Sequence, residues 1–359
     1  MKKFTIVSIV GTRPQFIKLA EMDKAIQEHT DFNHIIIHTG QHFDANMSGG
    51  FFDELQIPKP DIELNINSGT HGENTGAMIP GIEKYLDSIK PNIVFVYGDC
   101  DSTLAGTIAA KKMNIPVAHI EAGVRSGDIR MPEEQNRLMV DSISDLLFTP
   151  TREASSILDQ ASSYKRVHQV GDLMYDSFKR YENKAPGHEK LHNASYYFAT
   201  FHRKENVDAG YNMLSIITAL GDLDWPVMFP AHPRTLNMIK ACSVDLPENI
   251  KVMEPLSYLS TLSWMRDAKA VLTDSGGLQK EAFWARTPCV TMRNSTEWPE
   301  TVRSGWNILT GADTERIKLA VKTFEKLTPS NPPNFLHGSG AAGSKILRIV
   351  ASFLNEHDV

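Results

Sequence analysis

The chain has 359 residues, of which 41% are hydrophobic and 22% are charged, and its formal net charge is -6. This length predicts two domains, and the composition is typical of a globular protein, which excludes disordered and fibrous chains. The 43 acidic residues outnumber the 37 Lys and Arg residues, so no overall basic field indicates a nucleic-acid partner. Three cysteines without CxxC spacing (Cys100, Cys242 and Cys289) indicate reduced thiols and argue against a disulfide framework or a zinc site.

The N-terminal segment begins with two lysines and an apolar run, as a signal peptide does. The run from Phe4 to Val10 is too short to span a membrane, and no small-residue cleavage site follows it before Arg13. The segment is therefore predicted to be a first buried strand, and the chain is predicted to be cytoplasmic with no membrane partner.

Short β-branched runs alternate with amphipathic helical stretches such as 104–112, 212–220 and 314–327. Continuous apolarity within the runs predicts strands that are buried on both faces, as in a parallel sheet covered by helices. The predicted strands are 4–10, 34–38, 93–97, 117–120, 146–149 and 167–170, followed by 195–201, 227–230, 250–253, 270–273, 289–292 and 308–309. This pattern predicts an α/β fold with two Rossmann-like, doubly wound parallel sheets that face each other across a cleft.

The domain boundary is predicted from the most polar segment of the chain, 181–195, which is rich in Lys, Asn and His and contains Pro and Gly. The first Rossmann-like domain is assigned to residues 1–172 and the second to residues 173–340. The last segment, 341–359, is predicted to form a helix that packs back on the first domain.

Ligands of open α/β sheets bind at the carboxyl ends of the strands, so the residues that follow each apolar run are candidates for a site. After the first run, Gly11 permits a tight turn and Arg13 opens a helix, a combination that favours an anion. The alternative is an ordinary turn with a solvated arginine. No GxGxxG follows this run, which disfavours a dinucleotide-dependent oxidoreductase.

Three carboxylates are predicted to gather at one edge of the first sheet. Asp99 and Glu121 directly follow the third and fourth runs, and Glu133 lies in the next helical segment. A single Asp in this position is more often a helix cap, but clustered carboxylates raise one another's pKa, which suits proton transfer near neutral pH. Metal binding is the competing interpretation, and no HxH or HExxH pattern supports it.

The second half of the chain carries a candidate phosphate-binding turn. Ser275-Gly276-Gly277 opens a helix after the run 270–273 and offers bare backbone N–H groups and a hydroxyl. Glu281 lies about one turn further along this helix, within reach of a ribose diol. His202 directly follows the run 195–201 and is a further candidate for the site. Taken by itself, it is more simply interpreted as a structural histidine.

Seven motifs in this order resemble the UDP-N-acetylglucosamine 2-epimerase family, of the non-hydrolysing type. They are GTRP at 11–14, HTGQH at 38–42, YGDCDSTLAG at 97–106, HIEAGVRSGD at 119–128, MPEEQNR at 131–137, FHRKEN at 201–206 and TDSGGLQKEA at 273–282. The likeness covers nearly the whole chain. It implies the glycosyltransferase-B architecture, with the carboxylates in the first domain and UDP bound by the second.

The resemblance implies C2 epimerisation of UDP-N-acetylglucosamine to UDP-N-acetylmannosamine, a surface-polysaccharide precursor. The reaction proceeds by elimination and re-addition of UDP through a glycal, with no metal or nicotinamide. The matched catalytic positions are Asp99, Glu121, Glu133 and His202. The matched substrate- and UDP-binding positions are Arg13, Arg137, His232, Tyr258, Ser275, Gly276, Gly277 and Glu281. A UDP-sugar is the implied partner, and the chain is expected to be a homodimer.

Two residues depart from the family pattern. Trp298 stands where members typical of the N-acetylglucosamine enzyme carry Arg, and Cys100 stands where Thr is general. Trp298 and the following Pro299-Glu300 resemble the subgroup that acts on UDP-2,3-diacetamido-2,3-dideoxy-glucuronic acid, and also some archaeal members. That substrate therefore remains an alternative, together with a hydrolysing epimerase that releases N-acetylmannosamine and UDP. A glycosyltransferase and a non-catalytic nucleotide-sugar sensor are the rival classes.

Overall fold

The computed structural model describes residues 4–29, 31–41, 54–67, 69–161, 166–184, 195–327, 329 and 336–357. The chain divides into two compact units, of which the first combines Met1–Lys179 with Phe335–Val359 and the second is Arg180–Asn334. Most of the predicted linker, residues 185–194, lies outside the described residues. Within the described residues, no helix is long and apolar enough to cross a membrane.

The first unit contains a parallel sheet whose described strands run in the order β3-β2-β1-β4-β5-β6-β7. The strands are β1 (Phe4–Val10), β2 (Phe32–His38), β3 (Ile62–Glu63), β4 (Ile93–Tyr97), β5 (Val117–Ile120), β6 (Leu146–Thr149) and β7 (Arg166–Gln169). The helices between and after them are α1 (Arg13–Gln27), α2 (His71–Ile89), α3 (Asp101–Lys112), α4 (Pro132–Ile143), α5 (Arg152–Ala161) and α6 (Leu173–Tyr181). Val7, Val94 and Val117 lie side by side on three neighbouring strands and are fully buried.

The second unit repeats this arrangement, with described strands in the order β10-β9-β8-β11-β12-β13. The strands are β8 (Tyr197–Thr200), β9 (Val227–Pro230), β10 (Ile250–Met253), β11 (Val271–Thr273), β12 (Cys289–Thr291) and β13 (Asn307–Leu309). The helices are α7 (Lys204–Val207), α8 (Gly210–Gly221), α9 (Pro233–Ala241), α10 (Tyr258–Arg266), α11 (Gly276–Ala285), α12 (Pro299–Arg303) and α13 (Thr314–Lys326).

The prediction of two doubly wound parallel sheets is confirmed, because every described strand pair is parallel. The short edge strand β3 was not predicted, since two residues are too few to show a hydrophobic period. The strand order reverses between β1 and β4 in the first sheet and between β8 and β11 in the second. Parallel sheets bind ligands at the carboxyl ends of the strands beside such a reversal.

The C-terminal helix, α14 (Ala342–His357), belongs to the first unit and packs against α1. A Cβ on Gly343 would lie 3.0 Å from the Cβ of Ala25, so the two helices approach closely there. The Asp176 carboxylate on α6 accepts hydrogen bonds from the backbone N–H groups of Ala342 (2.7 Å) and Gly343 (3.2 Å).

These contacts explain where the first unit ends. The predicted boundary after residue 172 separates α6 from the first domain, whereas the structure keeps this helix in the first unit as far as Lys179. The first unit also resumes at Phe335, before the predicted 341, because the Asp172 N–H donates to the His337 carbonyl at 2.9 Å.

Asp176 should make stability depend on pH. Burial, the largest cause, and the negative charges of Glu21 and Asp172 raise the pKa of Asp176 to about 7. The hydrogen bonds from Gly343 and Ala342 lower this pKa but do not offset burial. The folded chain therefore holds a proton that the unfolded chain releases above pH ~4, so this stabilisation is complete below pH ~4 and is lost as the pH rises towards 7.

We expect Asp176→Asn, which stays neutral and can still accept from the helix, to be more stable than the wild type at pH 8 by about 2 kcal/mol. The advantage should disappear near pH 4. Urea unfolding at several pH values measures both effects, with Asp87→Asn on the exposed face of α2 as the control. Parallel pH profiles of Asp176→Asn and the wild type would contradict the prediction.

Candidate functional site

The turns after β1 and β4 meet where the strand order of the first sheet reverses. A Cβ on Gly11 would lie 2.2 Å from the Ser102 hydroxyl oxygen and 2.3 Å from that of Thr39, so glycine is required for this close approach. Arg13 is the first residue of α1 and is half-buried. The predicted HTGQH motif also lies here, although His42 is outside the described residues.

Gln15 joins the two turns and was missed by the sequence analysis. Its side-chain oxygen accepts from the N–H groups of Gly11 (2.7 Å) and Thr12 (3.1 Å). Its side-chain nitrogen donates to the Tyr97 carbonyl at 2.7 Å and to the Thr103 hydroxyl at 3.0 Å. The start of α1 is therefore fixed against the end of β4 by one buried amide.

Asp99 forms an ion pair with Arg137, so the structure brings together two residues that the sequence placed in one site. Asp99 keeps 29% of its side chain exposed, whereas Arg137 on α4 is buried. The neighbouring Asn136 donates its side-chain N–H to the Asp99 carbonyl at 2.9 Å. One turn of α4 thus orients the Asp99 carboxylate while leaving it accessible.

Glu121 pairs with Lys18, a buried residue of α1 that the sequence analysis did not single out. The Lys18 ammonium nitrogen lies 2.9 Å from a Glu121 carboxylate oxygen. Glu121 has a φ of 73°, a conformation that non-glycine residues adopt rarely and at an energetic cost. A Cβ on Gly98 would lie 3.3 Å from that nitrogen and 3.5 Å from Glu121 Oε1, so the ion pair lies beside the turn after β4. The structure thus gives both Asp99 and Glu121 a cationic neighbour.

Glu133 lies in the first turn of α4 and is half-buried. The adjacent Glu134 accepts from the Ser126 N–H and hydroxyl (2.8 and 2.9 Å) and pairs with Arg137 at 3.0 Å. Burial raises the pKa of Glu134, but the hydrogen bonds from Ser126 and Arg137 outweigh it and hold that pKa below its usual value. In the structure Arg137 pairs with Glu134 and Asp99, and Arg125 pairs with Asp141.

In the second unit, Asp274 fixes the turn that carries His202. The Asp274 side chain follows β11 at the strand-order reversal and is fully buried. It accepts from the N–H groups of His202 and Arg203 and from the Asn206 side chain, each at 3.0 Å. His202 is exposed, and its Nδ1 lies 3.6 Å from the Asp274 carboxylate, the distance of an ion pair when the ring is protonated.

The predicted phosphate-binding turn opens α11. Ser275 is the N-cap residue, and its hydroxyl accepts from the Leu278 N–H at 3.5 Å. A Cβ on Gly276 would meet Glu297 Oε2 at 3.6 Å and Trp298 Nε1 at 3.8 Å, which are ordinary contacts. Protein packing therefore does not require glycine here, and the missing side chain leaves the backbone N–H groups open to a ligand. Gly277 follows in the same turn.

The remaining predicted residues have different surroundings. Glu281 is buried in α11. His232 is exposed and caps α9, with its Nδ1 accepting from the Arg234 N–H at 3.1 Å. Tyr258 opens α10 and is buried, with its ring edge-on to that of Tyr181.

Residues 24–351 match the family model described as UDP-N-acetylglucosamine 2-epimerase. A Methanococcus maripaludis relative named as a homolog of that enzyme is 44% identical over 357 residues, covering 96% of this chain and 99% of its own. The Pseudomonas aeruginosa UDP-2,3-diacetamido-2,3-dideoxy-D-glucuronate 2-epimerase is also 44% identical, over 353 residues and the same shares of both chains. The Methanocaldococcus jannaschii UDP-GlcNAc 2-epimerase, solved with UDP-GlcNAc and UDP, has a TM-score of 0.89 and 38% identity, covering 97% of this chain and 99% of its own.

The chain belongs to the UDP-N-acetylglucosamine 2-epimerase family. It is therefore an isomerase, and the resemblance inferred from its motifs is confirmed. The calicheamicin glycosyltransferase CalG4 shares the fold at a TM-score of 0.53 with 13% identity, covering 99% of this chain and 95% of its own, which supports the glycosyltransferase-B architecture.

Trp298, the first departure from the family pattern, lies beside a lysine. Trp298 is buried, and the ammonium nitrogen of buried Lys280 lies 3.8 Å from its ring centroid, a cation–π contact. Arg293 and Glu297 form a buried two-bond ion pair, at 2.8 Å for each bond, in the segment that leads to Trp298. A cation thus remains beside residue 298, supplied by α11.

The second departure, Cys100, is the N-cap residue of α3. Its sulfur lies 3.4 Å from the Thr103 hydroxyl oxygen, and burial raises the pKa of its thiol. Cys100 therefore packs as a neutral group beside Asp99.

Proposed function

We propose that the chain interconverts UDP-N-acetylglucosamine and UDP-N-acetylmannosamine by the non-hydrolysing route. The observation that carries the proposal is the placement of Asp99 and Glu121. They follow the neighbouring strands β4 and β5, and each is paired with a cation. The 38% identity to an epimerase solved with UDP-GlcNAc and UDP supports the same substrate here.

In the proposed mechanism a carboxylate removes the C2 proton. The electrons of the C2–H bond form a C1=C2 bond as the C1–O bond breaks, and UDP leaves with the bonding pair. UDP then adds back to C1 while a second side chain, in its carboxylic acid form, donates a proton to C2 on the opposite face. Proton exchange with solvent returns both carboxyl groups to their starting states. Asp99 and Glu121 are assigned to these transfers, with Glu133 as the third candidate. Neither half-reaction transfers electrons to an acceptor, so no redox cofactor is required.

The second unit is assigned to UDP. Departure of UDP concentrates negative charge on the diphosphate, which cations and backbone N–H groups stabilise. His202 and the start of α11, with Ser275, Gly276 and Gly277, provide such groups, and Glu281, His232 and Tyr258 complete the proposed nucleotide site. Arg13 is assigned to substrate, and Arg137 to holding Asp99.

Gly276→Ala tests the assignment of the diphosphate to α11. The added methyl meets only ordinary contacts in the protein, so the free energy of unfolding should change little. It would occupy the space in which a phosphate approaches the backbone, so the Kd for UDP should rise about 10-fold or more. Calorimetric titration measures the Kd, and Gly72→Ala, in open space on α2, is the matched glycine control. An unchanged Kd would remove this turn from the UDP site.

The proposed reaction is tested by incubation with UDP-N-acetylglucosamine in deuterium oxide. NMR should show deuterium at C2 of both UDP-sugars and no free sugar. Release of N-acetylmannosamine and UDP would instead identify the hydrolysing reaction.

The glucuronate derivative is the second candidate substrate, because a relative with that name is 44% identical over 96% of this chain. The ratio of kcat/KM for the two UDP-sugars decides between them. A higher value for UDP-N-acetylglucosamine is the expected result.

A homodimer in the cytoplasm is proposed from two features. Leu138, Met139 and Ile143 are exposed on α4 and offer apolar surface to a second copy. Cys242 is an exposed free thiol, which suits a reducing compartment. Sedimentation should give twice the chain mass, and Met139→Glu should reduce it to one chain.

A further inference from the structure

His119 and Asp141 form a buried pair behind the proposed proton-transfer carboxylates. His119 lies on β5, and its Nδ1 is 2.7 Å from Asp141 Oδ1. Its Nε2 is 2.8 Å from the Gly98 carbonyl oxygen, and the ring is fully buried. Asp141 on α4 uses its second oxygen to accept from the Gly123 N–H at 3.1 Å and to pair with Arg125 at 2.7 Å.

The hydrogen-bond partners fix the orientation of the His119 ring. A backbone carbonyl only accepts, so Nε2 carries a proton. Burial raises the pKa of Asp141, but the charges and hydrogen bonds of His119 and Arg125 outweigh it and hold that pKa below its usual value. Asp141 is therefore an ionised acceptor beside Nδ1 of His119, and the two hydrogen bonds hold the ring from both sides.

The pair contacts one backbone group in each of two turns. Gly98 directly precedes Asp99, and Gly123 lies two residues after Glu121. All three turn residues Gly98, Glu121 and Gly123 have positive φ, at 64°, 73° and 77°. Glycine adopts a positive φ at little cost, whereas the conformation of Glu121 persists because surrounding contacts hold it, and the pair supplies one such contact at Gly123 in the same turn.

We propose that His119 and Asp141 are positioning residues that fix the Asp99 turn and the Glu121 turn relative to each other. The inference rests on the proposed function, because it assigns the pair an effect on proton transfer. A buried ion pair contributes little net stability compared with apolar packing, whereas removing one partner leaves an uncompensated charge. We expect the pair to act by fixing the position of the two turns, because a displacement of reacting groups by about 1 Å can cost about 100-fold in rate.

A matched control lies in the same unit. His34 and Asp23 form a pair of the same chemistry, with Nδ1 and Oδ1 also 2.7 Å apart. The other ring nitrogen of His34 is 2.8 Å from the Ser8 hydroxyl oxygen and contacts neither turn. His34→Gln thus removes a buried histidine–aspartate pair without touching Asp99 or Glu121.

The test compares His119→Gln and the nearly isosteric Asp141→Asn with His34→Gln. We expect kcat and C2 deuterium wash-in to fall about 10- to 100-fold in the first two variants, with the Kd for UDP within about twofold of the wild type. His34→Gln should keep the wild-type kcat at a similar loss of stability. Rates for His119→Gln and Asp141→Asn equal to that of the control would overturn the proposal.

Two measurements need no substrate and separate this inference from the proposed function. Hydrogen exchange should accelerate in peptides covering 98–101 and 121–125 in both variants and not in the control. A ¹⁵N spectrum of the wild type should show one slowly exchanging ring N–H, buried against the Gly98 carbonyl, that is absent in His119→Gln. Unchanged exchange in both turns overturns the inference, whereas an inactive wild type with accelerated exchange in the variants overturns only the epimerase assignment.

Discussion

Asp99→Asn and Glu121→Gln should each lower the turnover of epimerisation by about 10²–10⁴-fold, the usual contribution of a general acid or base. The amides are nearly isosteric with the carboxylates but cannot accept the C2 proton. UDP binding should persist, because it is assigned to the other unit. Glu133→Gln should behave in the same way if the third carboxylate also transfers protons.

The loss of rate must be separated from a loss of structure, because each carboxylate has a buried cation as its partner. Asp99→Asn leaves Arg137 paired with Glu134, so the fold should survive. Glu121→Gln leaves Lys18 with an amide oxygen as acceptor. Urea unfolding of both variants checks this, and Asp128→Asn, which removes only an ion pair with exposed Arg130, is the control.

Deuterium wash-in at C2 should be measured separately from net epimerisation. A variant that removes the proton but cannot return it from the other face washes in deuterium without inversion. Full wash-in by all three amide variants would contradict the proton-transfer assignment and leave these residues as sugar-binding groups.

His202→Asn should raise the Kd for UDP and also lower turnover by about 10²–10³-fold, the size of effect seen when one charge-stabilising donor is removed. The exposed ring lies within ion-pair distance of Asp274, and an imidazolium would stabilise the departing diphosphate. Asparagine keeps a side-chain N–H donor but cannot become positively charged.

Calorimetric titration with UDP and steady-state rates measure these two effects. His29→Asn, at the end of α1, is the histidine control. Asp274→Asn should weaken UDP binding as well, because the buried carboxylate holds the backbone of residues 202 and 203. A wild-type Kd and turnover in His202→Asn would assign that histidine a structural role only.

The sequence by itself determined the class of fold and the edge of each sheet at which the candidate site residues lie. Strands buried on both faces must be continuously apolar, so runs such as 4–10 and 93–97 predict their own boundaries. Parallel strands bring their carboxyl ends together, so residues such as Asp99, Glu121 and Ser275 could be assigned to sites before any strand order was known. The ordered motifs indicated the family.

Only the tertiary structure decided which side chains contact each other. Glu133 and Glu134 lie four and three residues before Arg137, and both spacings place a side chain near it on a helix, so the sequence alone could not choose between them. The tertiary structure pairs Arg137 with Glu134, which also accepts hydrogen bonds from Ser126. Lys18 and Glu121 are far apart in the chain and meet because α1 packs against the turns after β4 and β5. The same holds for Asp141, which reaches His119 and Gly123 from α4. A hydrophobic pattern specifies which face of an element is buried, whereas polar partners depend on how the elements pack in three dimensions.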